Sequence, residues 1–174
     1  AAKESWEYNA AIAKEALERG FDEINFDYIR FASDGNLTDI KYPFWDGKTA
    51  KNEVLKDFFS YLRGQMPEAR LSADLFGLVT VDQHDMGIGQ HLEDAIPYFD
   101  YIAPMVYPSH YFSGFQNYQK PAEHPYEVVK YSLESAIARI KNYETRIMGQ
   151  NASTTLADSI IHNSNPMIHS KLRP

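Results

Sequence analysis

The stretch EINFDYIRFASDG, Glu23 to Gly35, decides the fold. Its first part has the apolar, β-branched and aromatic make-up of a buried strand, predicted over Glu23–Phe31, and its last part is a turn. A carboxylate, Asp27, stands in the middle of that strand, with Arg30 three positions on. An unpaired charge inside a core is costly, so the aspartate needs a reason. Alternation supplies one, because successive side chains of a strand point to opposite faces. Ile24, Phe26 and Tyr28 share a face suited to packing against helices. Asn25, Asp27 and Ile29 share the other.

Helical spacing flanks this strand. Upstream, SWEYNAAIAKEALER (Ser5–Arg19) repeats apolar residues at Trp6, Ala10, Ala13, Ala16 and Leu17, with Ser5 as N-cap and Gly20 as stop. Downstream, a loop rich in Gly, Asn, Asp and Pro runs to about Lys48. The helix TAKNEVLKDFFSYLRGQ follows, with Val54, Leu55, Phe58, Phe59 and Leu62 on one face and Pro67 after it. A second strand is predicted over Arg70–Leu78, then the polar loop VDQHDMGIGQ and a short helix in HLEDAIPYF. A third strand is predicted over Tyr101–Tyr107, then the loop PSHYFSGFQNYQKPAEHP and a helix over Tyr126–Lys141. TTLADSIIHN has weaker helical spacing and reads as one more helix.

Strands alternating with amphipathic helices build a parallel sheet. An eight-fold barrel needs about 250 residues, and this chain has 174. The expected fold is therefore α/β, of the (β/α)8 TIM-barrel type, present as a partial barrel of three or four strands in a single domain, 1–174. The opening AAKESWEYN, without Met, fits a piece of something longer. The remaining strands are expected from the parent polypeptide or from a second chain.

The other two strands repeat the polar pattern near their C-terminal ends. Ser72, Asp74 and Phe76 share one face of the second; Ala103, Met105 and Tyr107 share one face of the third. Asp27, Asp74 and Tyr107 are thus expected as neighbours at the mouth of the barrel, where active sites sit. Adjacent strands lie about 4.8 Å apart, so two carboxylates could approach to roughly 5–7 Å. Like charges that close push the two pKa values apart. One protonated and one ionised carboxyl are what glycoside hydrolysis requires, with retention near about 5 Å and inversion at larger separations. The same spacing also fits a structural arrangement, with Asp27 and Arg30 as an ion pair and Asp74 capping a loop.

Composition narrows the classes. Formal net charge is −7, which argues against nucleic acid and against anionic membrane surfaces. No apolar run approaches a membrane span, and no signal peptide is expected within this stretch, which leaves a signal removed from a longer precursor open. Cysteine is absent, so disulfides and thiolate metal sites are excluded. Aromatic residues are 14% of the chain, enough to leave rings for lining a groove. Asp82, His84, Asp85 and His91 match no known metal spacing, and no cofactor fingerprint occurs, so neither a metal nor a cofactor is expected. Ser33, Ser72 and Ser109 lack a nucleophile-elbow context. Tyr42, Phe44 and Trp45, in the loop after Asp27, suit either packing or sugar stacking.

FDEINFDYIRFASDG, ADLFG, IGQHLEDAIPYFDYIAPMVYPSHY and PAEHPYEVV resemble a bacterial family of glycoside-hydrolase type with a TIM-barrel fold. The resemblance runs from SWEYNAAIAKEA to the final RP, which in that family opens a further strand. It implies that the chain is the central-to-C-terminal part of a barrel, that Asp27, Asp74 and Tyr107 sit on its fourth, fifth and sixth strands, and that the setting is secreted or cell-envelope associated. A more distant similarity is to chitinase-type hydrolases, through Met105-Val106-Tyr107. Aligning their acidic run on Asp22, Asn25 and Asp27 puts Ile29 where their catalytic Glu belongs, so that mechanism is not available here. Amylase-like barrels, with acids on strands four and five, are the better comparison. On this reading Asp27 is nucleophile or base and Asp74 the acid. Arg30, Tyr107 and His110 position a carbohydrate substrate, and Asn25, Tyr28 and Tyr111 are further substrate contacts. The other functional reading is a catalytically silent carbohydrate-binding or scaffolding barrel.

Overall fold

The computed structural model describes residues 3–154 and Leu172. Helix α1 spans Lys3–Glu18 and strand β1 Ile24–Phe26; α2 spans Lys51–Gln65 and β2 Leu71–Phe76. The one-turn helix α3 covers Leu92–Ala95, β3 covers Tyr101–Met105 and α4 covers Pro125–Thr154. The strands form one parallel sheet in the order β1-β2-β3, with Phe26 opposite Ala73 and Asp74 opposite Ala103. The sheet is open, an α/β arrangement consistent with a partial (β/α) barrel. Leu172 makes a parallel bridge to Ile102.

Helix α1 begins no later than Lys3, so Ser5 lies inside it rather than capping it. It ends as expected. Gly20 takes φ +96°. Its N–H donates to Leu17 O at 3.0 Å and the N–H of Phe21 to Ala16 O at 3.2 Å, a left-handed C-terminal cap. Ala10 and Ala13 bury one face of α1, and Trp6 packs on Phe58 and Tyr61 of α2 at 5.3 and 5.7 Å. Leu55, Phe59 and Leu62 of α2 turn inward, as their spacing predicts.

The core lies between these helices and the outer face of the sheet. Leu71, Ala73 and Leu75 of β2 are fully buried there with Ile102 of β3. Phe99 joins them, 5.1 Å from Phe59 and 6.3 Å from Phe26. At the N-terminal end of the sheet the Asp100 carboxylate accepts from Leu71 N at 2.9 Å and from Arg63 Nη2 at 2.7 Å, which ties α2, β2 and β3 together.

All three strands are shorter than predicted, β2 by one residue at its start and two at its end. β1 stops at Phe26 because Tyr28 takes φ +58°, a left-handed conformation that breaks the alternation. Tyr28 therefore does not pack against the helices with Ile24 and Phe26; it is 70% exposed. β3 stops at Met105, where Val106 N donates back to Pro104 O at 2.8 Å and Tyr107 N to Met105 O at 3.1 Å. That curl leaves Tyr107 beyond the sheet. Helix α4 continues past Lys141 to Thr154, with Tyr143 packed against the core. The further helix expected in TTLADSIIHN falls, beyond Thr154, outside the described residues.

Candidate functional site

Asn25, Ser72 and Asp74 come together on the face of the sheet opposite the helices. Ser72 Oγ donates to Asn25 Oδ1 at 2.9 Å, and Asn25 Nδ2 donates to Asp74 Oδ2 at 2.9 Å. The register requires this meeting. Asn25 is opposite Ser72, and Asp74 follows on the same face. Asp74 is partly exposed and its bond runs to a neighbouring strand, not to a loop.

Asp27 lies just past the last residue of β1, where the chain leaves the sheet. Its Oδ1 accepts from Tyr28 N at 2.6 Å, a local bond that steadies the left-handed turn. The ion pair envisaged between Asp27 and Arg30 is not the one that forms. Arg30 Nη1 donates to Ser33 Oγ at 2.6 Å and Nη2 reaches Asp34 Oδ2 at 3.3 Å. Its guanidinium lies 4.5 Å from the centre of the Tyr28 ring, so Arg30 holds the exposed tyrosine by a cation–π contact. Strain of this kind, next to a carboxylate at a strand end, is characteristic of functional sites.

A residue that sequence reasoning passed over fixes this end of the sheet. Gln90 is 1% exposed. Its Nε2 donates to Ile29 O at 3.1 Å, and its Oε1 accepts from Phe76 N at 2.8 Å. One amide thus ties the chain leaving β1 to the end of β2. The loop between is fed in closely, with Phe31 N donating to Ile88 O at 2.8 Å. Gly89, at φ +82°, passes α2 so tightly that a Cβ would sit 2.8 Å from Lys51 O. Gly77 is similarly constrained, since a Cβ there would meet Met105 O at 2.5 Å. Both glycines of the GIGQ run take positive φ, as turn residues do, but nothing in the sequence marked Gln90 as a buried bridge.

The loop after β3 divides. Tyr107 and His110 are exposed, with ring centres 5.2 Å apart. Tyr111 turns the other way and is 6% exposed, its hydroxyl 2.8 Å from Ser132 Oγ of α4 and its ring 4.5 Å from Phe115. Tyr111 is thus a packing residue and offers no surface to a substrate, contrary to the contact expected of it. Its burial also raises the phenol pKa. Tyr42 and Trp45 likewise pack edge-on against Phe31, at 5.2 and 5.6 Å, while Phe44 remains exposed.

On the helical side, His91 is held between Glu93 and Asp94, each at 3.1 Å. Asn52 Nδ2 donates to Asp94 at 2.9 Å and Lys56 lies 3.3 Å from it. Arg139 of α4 binds Glu93 through two nitrogens and also donates to Val79 O and Asp82 O. Burial alone would raise Asp94, yet hydrogen bonds from His91 and Asn52 and the nearby positive charge hold it at about 2. The Asp94 bond raises His91 in turn. This network joins α2, α3 and α4 and is structural in character.

The sheet is an open parallel α/β arrangement, with Asp74 in β2 and Asp27 following β1. Residues 1–152 match the family described as "Putative glycosyl hydrolase domain", and the chain belongs to that family. No curated protein and no solved structure matches the chain.

Proposed function

We propose that the protein hydrolyses glycosidic bonds of a polysaccharide, with Asp27 and Asp74 as the carboxylate pair. The observation that carries this reading is the left-handed turn that Asp27 and Tyr28 make immediately after β1, the strand paired with the one that bears Asp74. Family membership supports the same chemistry. Asp27 serves as nucleophile or base. Asp74 serves as acid, and because its Oδ2 already accepts from Asn25, the proton for the leaving oxygen belongs on Oδ1. Tyr28, presented by Arg30, offers its ring to a sugar face, and Tyr107 and His110 offer hydrogen bonds from the neighbouring loop. The chain is the central-to-C-terminal part of a larger barrel on this reading, and the Leu172–Ile102 bridge supports a further strand beside β3.

A second reading is a carbohydrate-binding barrel without catalysis. The burial of Ile29, which stands where chitinase-type enzymes carry their acid, favours it. Reducing-sugar release from a panel of bacterial and plant polysaccharides separates the two, with wild type beside Asp27→Asn and Asp74→Asn. Release that disappears in both variants supports the hydrolase. Release that survives in both moves the chemistry elsewhere. Binding without release by wild type favours the silent barrel.

A further inference from the structure

Beyond Asp74 the same face of β2 continues with Phe76, about 7 Å further along the strand. Phe76 is part of the lining of a groove of about 870 Å³, within the range of small-molecule sites. Its composition is uneven. Leu78, Met86 and Ile88 add aliphatic surface to Phe76. On one side stand three rings in series, with Phe112 5.7 Å from Phe115 and Phe115 5.8 Å from Tyr131. Phe112 is 63% exposed and Tyr131 40%. The polar lining is Ser33 and the loop Asp82-Gln83-His84, in which Asp82 and His84 face each other at 3.3 Å.

We propose that this groove seats a sugar unit carrying an acyl group, on the reading of the chain as a carbohydrate hydrolase. The exposed rings of Phe112 and Tyr131 take the C–H face of the sugar. Asp82 and His84 take its hydroxyls. The aliphatic surface takes the acyl methyl, since a bare hydroxyl placed there would lose water and gain no partner. Continuity with Asp74 through Phe76 makes the acylated unit a neighbour of the bond being cleaved. An acyl group can come as an amide or as an ester, and the chemistry of the groove is common to both.

The test is calorimetric titration of the Asp27→Asn protein, which leaves the ligand intact, with two matched pairs of hexasaccharides. One pair is the β-1,4-linked N-acetylglucosamine hexamer and the β-1,4-linked glucose hexamer. The other is an O-acetylated xylose hexamer before and after alkaline de-esterification. The acylated member of one pair is expected to bind about fourfold or more tightly than its partner, as burial of one methyl implies. The pair that shows it tells amide from ester. Adding Phe112→Ala or Tyr131→Ala, both at exposed positions, is expected to weaken that ligand about tenfold. Equal binding within both pairs would overturn the acyl assignment and leave the hydrolase reading standing. A preference untouched by either aromatic substitution would put acyl selection outside this groove and overturn the proposal equally. Binding of none of the four would count against both the groove and the hydrolase.

Discussion

Asn25 reaches across from β1 to Asp74 on β2, donating from Nδ2 to Oδ2 at 2.9 Å while its own Oδ1 accepts from Ser72. The amide is therefore held in one orientation from both ends, and it fixes which oxygen of Asp74 remains available. Replacing Asn25 by Ala removes the donor without touching the carboxylate. Polysaccharide hydrolysis in Asn25→Ala is expected to fall by about tenfold to a hundredfold in kcat, with KM little changed, because a misplaced acid affects the transition state more than binding. Asp74→Ala should cost more, about 10³-fold or beyond. Equal losses in the two variants would show Asn25 to be more than a positioning residue.

Tyr28 holds a left-handed backbone at φ +58° with its ring in solvent. An aromatic residue in that conformation costs roughly 1 kcal/mol, which glycine would relieve. Tyr28→Gly is expected to leave the melting temperature unchanged or slightly raised while weakening substrate binding severalfold. Thermal denaturation together with KM on the best polysaccharide checks it. A drop in stability with unchanged KM would make the ring a structural element.

Gln90 is a buried amide whose two ends satisfy Ile29 O and Phe76 N. Gln90→Leu keeps the volume and leaves both backbone groups without that partner, at about 1–3 kcal/mol each. At roughly 2–4 °C per kcal/mol for a chain of this size, the melting temperature should fall by about 4–24 °C. The exposed neighbour Gln83→Leu is the control and should shift it by little.

Alternation and periodicity made the sheet legible, because burial of Leu71, Ala73 and Leu75 on one face leaves Ser72, Asp74 and Phe76 no choice but the other. Alternation assumes that the strand continues, and it failed where the backbone departed from β geometry. Tyr28 carries no glycine-like signature, so its positive φ and the early end of β1 were invisible. Tyr111 and His110 are adjacent in an aromatic loop, yet one is packed under α4 and the other is exposed, a division set by a tertiary neighbour, Ser132. Gln90 was hidden for the same reason: its two partners lie 61 and 14 residues away in the chain.

His91 and Asp94 make stability depend on pH from both sides. The folded pKa of His91 is raised above 6.5 by its bond to Asp94, so that contribution is complete below about 6.5 and fades as pH rises through the raised value. The folded pKa of Asp94 is lowered from 3.8 to about 2, so its contribution is complete above 3.8 and fades as pH falls toward 2. Glu93, lowered against its burial by Arg139, acts in the same acidic window. Asn52, Lys56, Arg139 and Tyr143 also face this network, and the pKa values of Lys56 and Tyr143 are raised from values already above 8. The Asp94 shift corresponds to roughly 2 kcal/mol in full and about 1 kcal/mol allowing for its solvent-facing side. Because His91 and Asp94 share one interaction, the two contributions are not additive. Urea unfolding from pH 3 to 9 is expected to show stability greatest between about pH 4.5 and 6.5, with His91→Gln flattening the alkaline slope and weakening the acid one. An unchanged alkaline slope in His91→Gln would assign that slope to other groups.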